Sequence, residues 1–213
     1  MAPSVDPNLK KYSDGVWAIA TTVNVSMARA KQTSTNLYMV FLELEEPYDN
    51  IAHPAILEAI RGLSIANFMR QIVMASQGLG RPGHGIVGGQ DCDLSRMMLG
   101  LCMDPILRAV NVEKGFPISS KENVACKAFV EKMVLMASNE ENMKEHLRIV
   151  GDGLKAIGLE KIDRHNCRYV AMTFDNKQMI VKNDLDFELA GQQIRGVQRK
   201  EPWKFLGKKF EVM

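Results

Sequence analysis

The chain lacks any Cys-x-x-Cys pair. Cys92, Cys102, Cys126 and Cys167 stand apart, and the four histidines (53, 84, 146, 165) do not fall at zinc-ligand spacing. That pattern argues against a structural zinc site and favours reduced thiols in an intracellular compartment, nucleus or cytoplasm. No stretch approaches the roughly 18 uninterrupted apolar residues of a membrane span. The opening MAPSVDPNLKKYSDG has no apolar core of a secretory signal. Charge of one sign is also missing: 27 Lys+Arg against 25 Asp+Glu leave +2, too balanced to announce a polyanion or membrane partner from bulk charge. With 16 Gly and 8 Pro the chain is neither collagen-like nor of low complexity. What remains is 213 residues, 46% hydrophobic, enough to remove about 70% of the unfolded surface from water around one core. The 14 methionines read mostly as adaptable core filler.

Residues 1–34 are weakly patterned, with Pro3, Pro7, Gly15 and a polar run from Ser26 to Ser34. Leu37–Glu45 (LYMVFLELE) is the best strand, placing Val40, Leu42 and Leu44 on one face and Met39, Phe41, Glu43 and Glu45 on the other. Helical spacing follows over His53–Arg61, with Pro54 suited to a first turn, and over Ser64–Ser76. Gly78–Gly89 is a glycine-rich loop, and Leu94–Val110 is apolar at helical spacing. Val124–Val130 and Met133–Ala137 form a hairpin around Glu131–Lys132, and a helix capped by Asn139 runs to about Ile157, stopped by Gly158. Strand-like segments close the chain at Cys167–Phe174, Gln178–Val181 and Trp203–Phe210. The order predicts an α+β fold, an antiparallel sheet with helices packed on one face.

Five stretches carry a resemblance when taken in order. They are FLELEEPYDNIAHPAILEAIR (41–61), GGQDCDLSRMMLGLCMDPIL (88–107), AFVEKMVLMASNEENMKEHL (128–147), GLEKIDRHNCRYV (158–170) and WKFLGKKF (203–210). The set resembles the palm of a reverse transcriptase, closest to the non-LTR (LINE-type) retrotransposon enzymes. The resemblance implies a palm-like domain over 35–213, with fingers incomplete and thumb absent, preceded by the segment 1–34. It implies Mg2+ as cofactor, two ions about 3.5–4 Å apart held by carboxylates at neighbouring strand ends. Glu43 and Glu131 stand at those positions. Tyr48 falls where an aromatic lies under the incoming sugar, and Gln90 where a glutamine touches nucleotide and template. The closing hairpin, with Trp203, Lys204, Lys208 and Lys209, falls where the primer is held, so RNA or an RNA/DNA hybrid is the expected partner, beside an unknown protein partner.

The pattern is altered where the chemistry sits. Glu43 replaces an Asp, adding a methylene that displaces the carboxylate by roughly 1.5 Å. The paired acids become Phe129, Val130, Glu131, Lys132, setting a cation where a carboxylate belongs. Asp91 replaces the Gly after Gln90, and Asn166 an expected Lys. The resemblance therefore implies a catalytically impaired polymerase domain. Two other readings stand beside it: a fragment that still extends primers with Mn2+, and a non-enzymatic scaffold binding nucleic acid or protein.

Plainer readings of single residues stay open. Glu43 is equally an exposed strand residue, Glu131–Lys132 a solvated turn, Gln90 a turn residue, and Asp49 a helix cap or turn closer. Arg195–Met213 holds six cations interleaved with Trp203, Phe205 and Phe210. That stretch suits either phosphates and stacked bases or a lysine-protected edge strand.

Overall fold

The computed structural model describes residues 15–61, 93–159 and 161–212. Their architecture grows from strand β1, Leu37–Glu43, whose first six residues are all buried. It pairs antiparallel with β5 (Lys132–Ala137) on one side and with β6 (Arg168–Asp175) on the other. Strand β4 (Cys126–Phe129) extends the sheet beyond β5, and β7 (Gln178–Lys182) pairs antiparallel with β6. A short parallel pairing brings β10 (Arg195–Gly196) against the start of β6. The small ladders β2 (Phe116–Pro117) with β3 (Asn123–Val124), β8 (Glu188–Leu189) with β9 (Gln192–Gln193), and β11 (Trp203–Phe205) with β12 (Lys208–Phe210) lie off the main sheet. The fold is thus mixed helix and antiparallel sheet. Among the described residues no helix is long and apolar enough to cross a membrane.

The alternation read from 39–45 holds, but both faces of the strand are dry. Tyr38, Val40 and Leu42 join one apolar cluster with α2 (Pro47–Asn50), α3 (His53–Ile60), α4 (Asp93–Ala109) and α5 (Glu140–Ala156). Leu37, Met39 and Phe41 join a second cluster, covered by helix α1 (Gly15–Thr33) and the β11–β12 hairpin. Helices therefore lie on both faces, not on one as the sequence order suggested. The reason is visible in α1. Its buried stripe is Ile19, Ala20, Val23, Ser26, Met27 and Ala30, at helical spacing, but half of it is alanine or serine, while Trp17 and Val25 stand exposed outside it. Against neighbours such as Thr21, Thr22 and Asn24, that stripe has little hydrophobic contrast. The strand also ends earlier than expected, at Glu43; Leu44 makes a single bridge to Ile162. The stretches 1–14, Ser64–Ser76 and 78–89 lie outside the described residues.

Helix α5 is the element most fully written in the sequence. The Asn139 side chain accepts from the Asn142 amide at 2.8 Å, closing the first turn. At the other end Gly158 takes φ +83°, while the Leu159 amide reaches back to the Leu154 carbonyl at 2.9 Å. A Cβ at Gly158 would sit 3.2 Å from the Asn50 carbonyl, so the turn demands glycine for both conformation and space.

The buried stripe of α5 contains Met143, Leu147, Val150 and Leu154, with His146 among them at 0% exposure. Neither imidazole nitrogen makes a well-formed hydrogen bond. Burial lowers the His146 pKa, and the Asn111 backbone and Glu145 oppose this only in part. The folded state therefore holds this ring neutral while the unfolded chain takes up a proton below about pH 6.5, so stability falls as pH drops through that value. Urea denaturation at stepwise pH between 7.5 and 5, values chosen to bracket about 6.5, should show stability declining with acid in the wild type. The decline should be shallower in His146→Leu; parallel slopes would exclude this histidine as the cause.

Candidate functional site

β1 ends at Glu43 and β5 begins at Lys132, and the antiparallel register sets the two residues directly opposite each other. The Lys132 ammonium forms an ion pair with the Glu43 carboxylate and lies 3.7 Å from that of Glu131. Two carboxylates that each reach one nitrogen within about 4 Å are at most roughly 8 Å apart. Glu43 and Glu131 are thus brought together on adjacent strand ends, backed by α4 and α5. Each member of the trio keeps about a fifth of its side-chain surface exposed. Hydrogen bonds lock the surrounding backbone. The Leu44 amide donates to the Glu131 carbonyl at 3.0 Å and the Asp163 amide to the Glu43 carbonyl at 2.8 Å. The Glu43 amide donates to Cys167 Sγ at 3.3 Å. Burial raises the Cys167 pKa to about 11, so the thiol stays protonated and unreactive.

The turn joining β4 to β5 is Val130–Glu131, and Val130 sits at φ +55°. A β-branched residue in the left-handed region carries a strain of about 1–3 kcal/mol. The two-residue turn and the fixed register aim the carboxylate of Glu131 and the ammonium of Lys132 toward the end of β1.

Tyr48, on α2, is 5% exposed, and its hydroxyl is buried without a well-formed hydrogen bond. Burial first and the Glu131 charge second push its pKa up to about 12, with Arg96 opposing. It remains a neutral phenol at physiological pH. Tyr48 lines a cleft of about 260 Å³ with Glu43, Glu45, Asp49, Glu131 and Asp163. Asp163 is a member that the sequence did not single out. Its carboxylate receives the His165 amide at 2.8 Å and the Asn166 side chain at 2.8 Å, a local turn with no motif signature. Asp49 does not cap the following helix, whose N-cap is Ala52 with no side-chain bond. Gln90, like Asp91, lies outside the described residues.

These residues do not suit a pair of divalent ions. Among the described residues no group of three or more His, Cys, Asp or Glu side chains could hold a metal ion. The cation facing Glu43 and Glu131 is the chain's own ammonium. At ~4 Å and an effective dielectric of ~20, each unit of like charge placed beside it costs about 4 kcal/mol.

At the closing hairpin, Trp203 is 6% exposed and cannot receive a base. Its ring stacks on Phe210 at 5.5 Å and packs at 5.5 Å on Phe41 of β1, inside the second core cluster. Phe205 and Phe210 are buried with it. Strand alternation then turns Lys204 and Lys209 outward, directly opposite each other across the ladder. Lys208 lies over the ring of Trp17, with Nζ 3.6 Å from its centroid. The aromatic interleaving in this stretch is core packing; the lysines alone face out.

No protein-family model matches the chain. Curated relatives do match. The chain is 25% identical, over 92% of its length, to the retrovirus-related Pol polyprotein from type-1 retrotransposable element R2 of Nasonia vitripennis. It is 24% identical over 91% of its length to the R2 Pol polyprotein of Bradysia coprophila, and 20% identical over 87% to that of Popillia japonica. The chain is similar to R2 Pol polyproteins. It spans 20%, 24% and 32% of their respective lengths.

The Glu43–Lys132–Glu131 cluster joins two carboxylates through one ammonium. Lys132→Met should lower the unfolding free energy by about 1–3 kcal/mol, between the exposed and fully buried limits for an ion pair. Adding Glu43→Gln to that variant should recover most of the loss, because an unpaired half-buried carboxylate is removed. A double-mutant cycle by urea denaturation checks this; additive losses would mean the pair is uncoupled.

Proposed function

We propose that residues 35–213 are a reverse-transcriptase-like palm domain derived from a retrotransposon polymerase, catalytically impaired and retaining nucleic-acid contact. The observation that carries the reading is the placement of Glu43 and Glu131 at adjacent strand ends with Lys132 between them. Two acids at such strand ends are what a two-metal polymerase requires, and the ammonium is what it cannot tolerate. Glu43 carries the extra methylene, and its charge is spent on Lys132. Mg2+, expected from the resemblance, finds no fitting carboxylate set among the described residues, so no reaction step runs through it.

Similarity to R2 Pol polyproteins over about nine-tenths of the chain supports the retrotransposon origin. On this reading the domain works inside the cell, in nucleus or cytoplasm, and contacts RNA or an RNA/DNA hybrid through the outward lysines Lys204 and Lys209. A second reading, a non-enzymatic scaffold on the same fold, is favoured by those same exposed lysines, which need no metal to act.

A primer-extension assay on a primed RNA template, with Mg2+ or Mn2+, should yield no template-directed product. Extension that vanishes in Glu43→Gln would contradict the impaired reading and identify Glu43 as a working ligand. Glu43→Asp, Glu131→Asp and Lys132→Asp together should instead gain a Mn2+-dependent rise in melting temperature that the wild type lacks.

A further inference from the structure

The basic hairpin loses Trp203 to the core, yet another aromatic stands beside it. Trp17, in the first turn of α1, is 73% exposed, more than any other large apolar side chain among the described residues. One face of its indole is occupied by the Lys208 ammonium at 3.6 Å from the ring centroid. A cation so placed restrains the ring without covering it, because an ammonium is small beside an indole. The remaining indole surface is open.

Among the described residues, the exposed charge of the neighbouring hairpin is mostly basic. Lys204 and Lys209 face each other across β11 and β12, both exposed and with no ion pair among the described residues. Like charges directly opposite in a ladder are destabilising, so the fold gains nothing from that pair on its own. The Lys200 amide donates to the Val212 carbonyl at 3.0 Å, which brings the exposed Arg199–Lys200 segment to the end of β12. Of the nearby acids, Glu201 is committed to Arg195 at 2.8 Å and to the Gln198 amide at 2.9 Å. Glu211 is the exposed acid that remains. The hairpin itself cannot shift easily, since Trp203, Phe205 and Phe210 anchor it to Phe41 at centroid distances of 5.5, 5.0 and 6.3 Å.

We propose that Trp17 is a base-stacking platform for single-stranded nucleic acid, with Lys208 bracing the ring and Lys204 and Lys209 holding phosphates of the same strand. The inference rests on the nucleic-acid reading of the hairpin given above and names the aromatic that reading needs. One open aromatic beside unpaired cations is the chemistry by which single strands are held without sequence preference. An anionic membrane would also meet cations and a tryptophan. Inserting into a bilayer needs a broad apolar face, however, and α1 exposes Val25 as its one other large apolar side chain, two turns further along.

The test uses the full chain and a labelled oligouridylate, with vesicles of mixed neutral and anionic phospholipid as comparison. Trp17→Ala should weaken oligouridylate binding between about 5-fold and 100-fold with the salt slope unchanged, while Trp17→Phe keeps most of the affinity. Replacing Lys204 and Lys209 together by Ala should flatten the logarithmic salt slope by roughly 1.4 units, 0.7 per phosphate contact. The chain has two tryptophans, so in Trp203→Phe the emission comes from Trp17 alone and should be quenched by the oligonucleotide. If the lysine pair weakens binding and Trp17→Ala does not, the platform is wrong and the hairpin reading stands. If the wild type binds vesicles but no oligouridylate, both the platform and the nucleic-acid reading fall.

Discussion

Everything in the structure depends on the double burial of β1. A strand that hydrogen-bonds to β5 and β6 and is dry on both faces has no freedom of register, because a one-residue slip would exchange its two side-chain sets. Phe41 fixes one face: the β11–β12 hairpin packs on it, and α1 closes the same cluster. Val40 and Leu42 fix the other against the four remaining helices. With β1 held this way, the position of Glu43 at its end and of Lys132 opposite is a consequence of pairing. The charged cluster is therefore a product of the core and not a separately assembled feature.

The cluster itself is a compromise between two uses of carboxylates. Acids gathered at strand ends repel one another and need a cation. A metal ion can supply that charge, at the expense of dependence on its concentration; a lysine supplies it covalently and permanently. Lys132 does the second, and its charge reaches both Glu43 and Glu131. The strained Val130 at the neighbouring turn shows that the local backbone is held by its surroundings and not by its own preference.

What the sequence made legible follows from signal contrast. The α5 boundaries could be read from Asn139 and Gly158 because capping chemistry is local, and the β4–β5 hairpin because its apolar runs flank a charged pair. The α1 stripe could not be read, since two alanines and a serine dilute it and Trp17 and Val25 lie outside it. Interleaved lysines and aromatics in 203–210 look alike whether the aromatics face a base or a core, and only strand alternation against Phe41 separates the cases. Asp163 was illegible for a different reason: it enters the cleft through a tertiary bridge near Ile162 and through the Glu43 backbone, both distant in sequence. The face-to-face pairing of Lys132 with Glu43 required the register, which periodicity alone does not supply.

In the reading proposed above, a tethered ammonium stands where the palm of a polymerase would hold its metal. Titrating Mn2+ against the wild-type chain and following its electron paramagnetic resonance signal addresses this most directly, because hydrated Mn2+ gives a signal that binding suppresses. The wild type should leave the free-ion signal undiminished at about pH 7.5, near the physiological range. A saturable loss of that signal, abolished by Glu43→Gln, would contradict it.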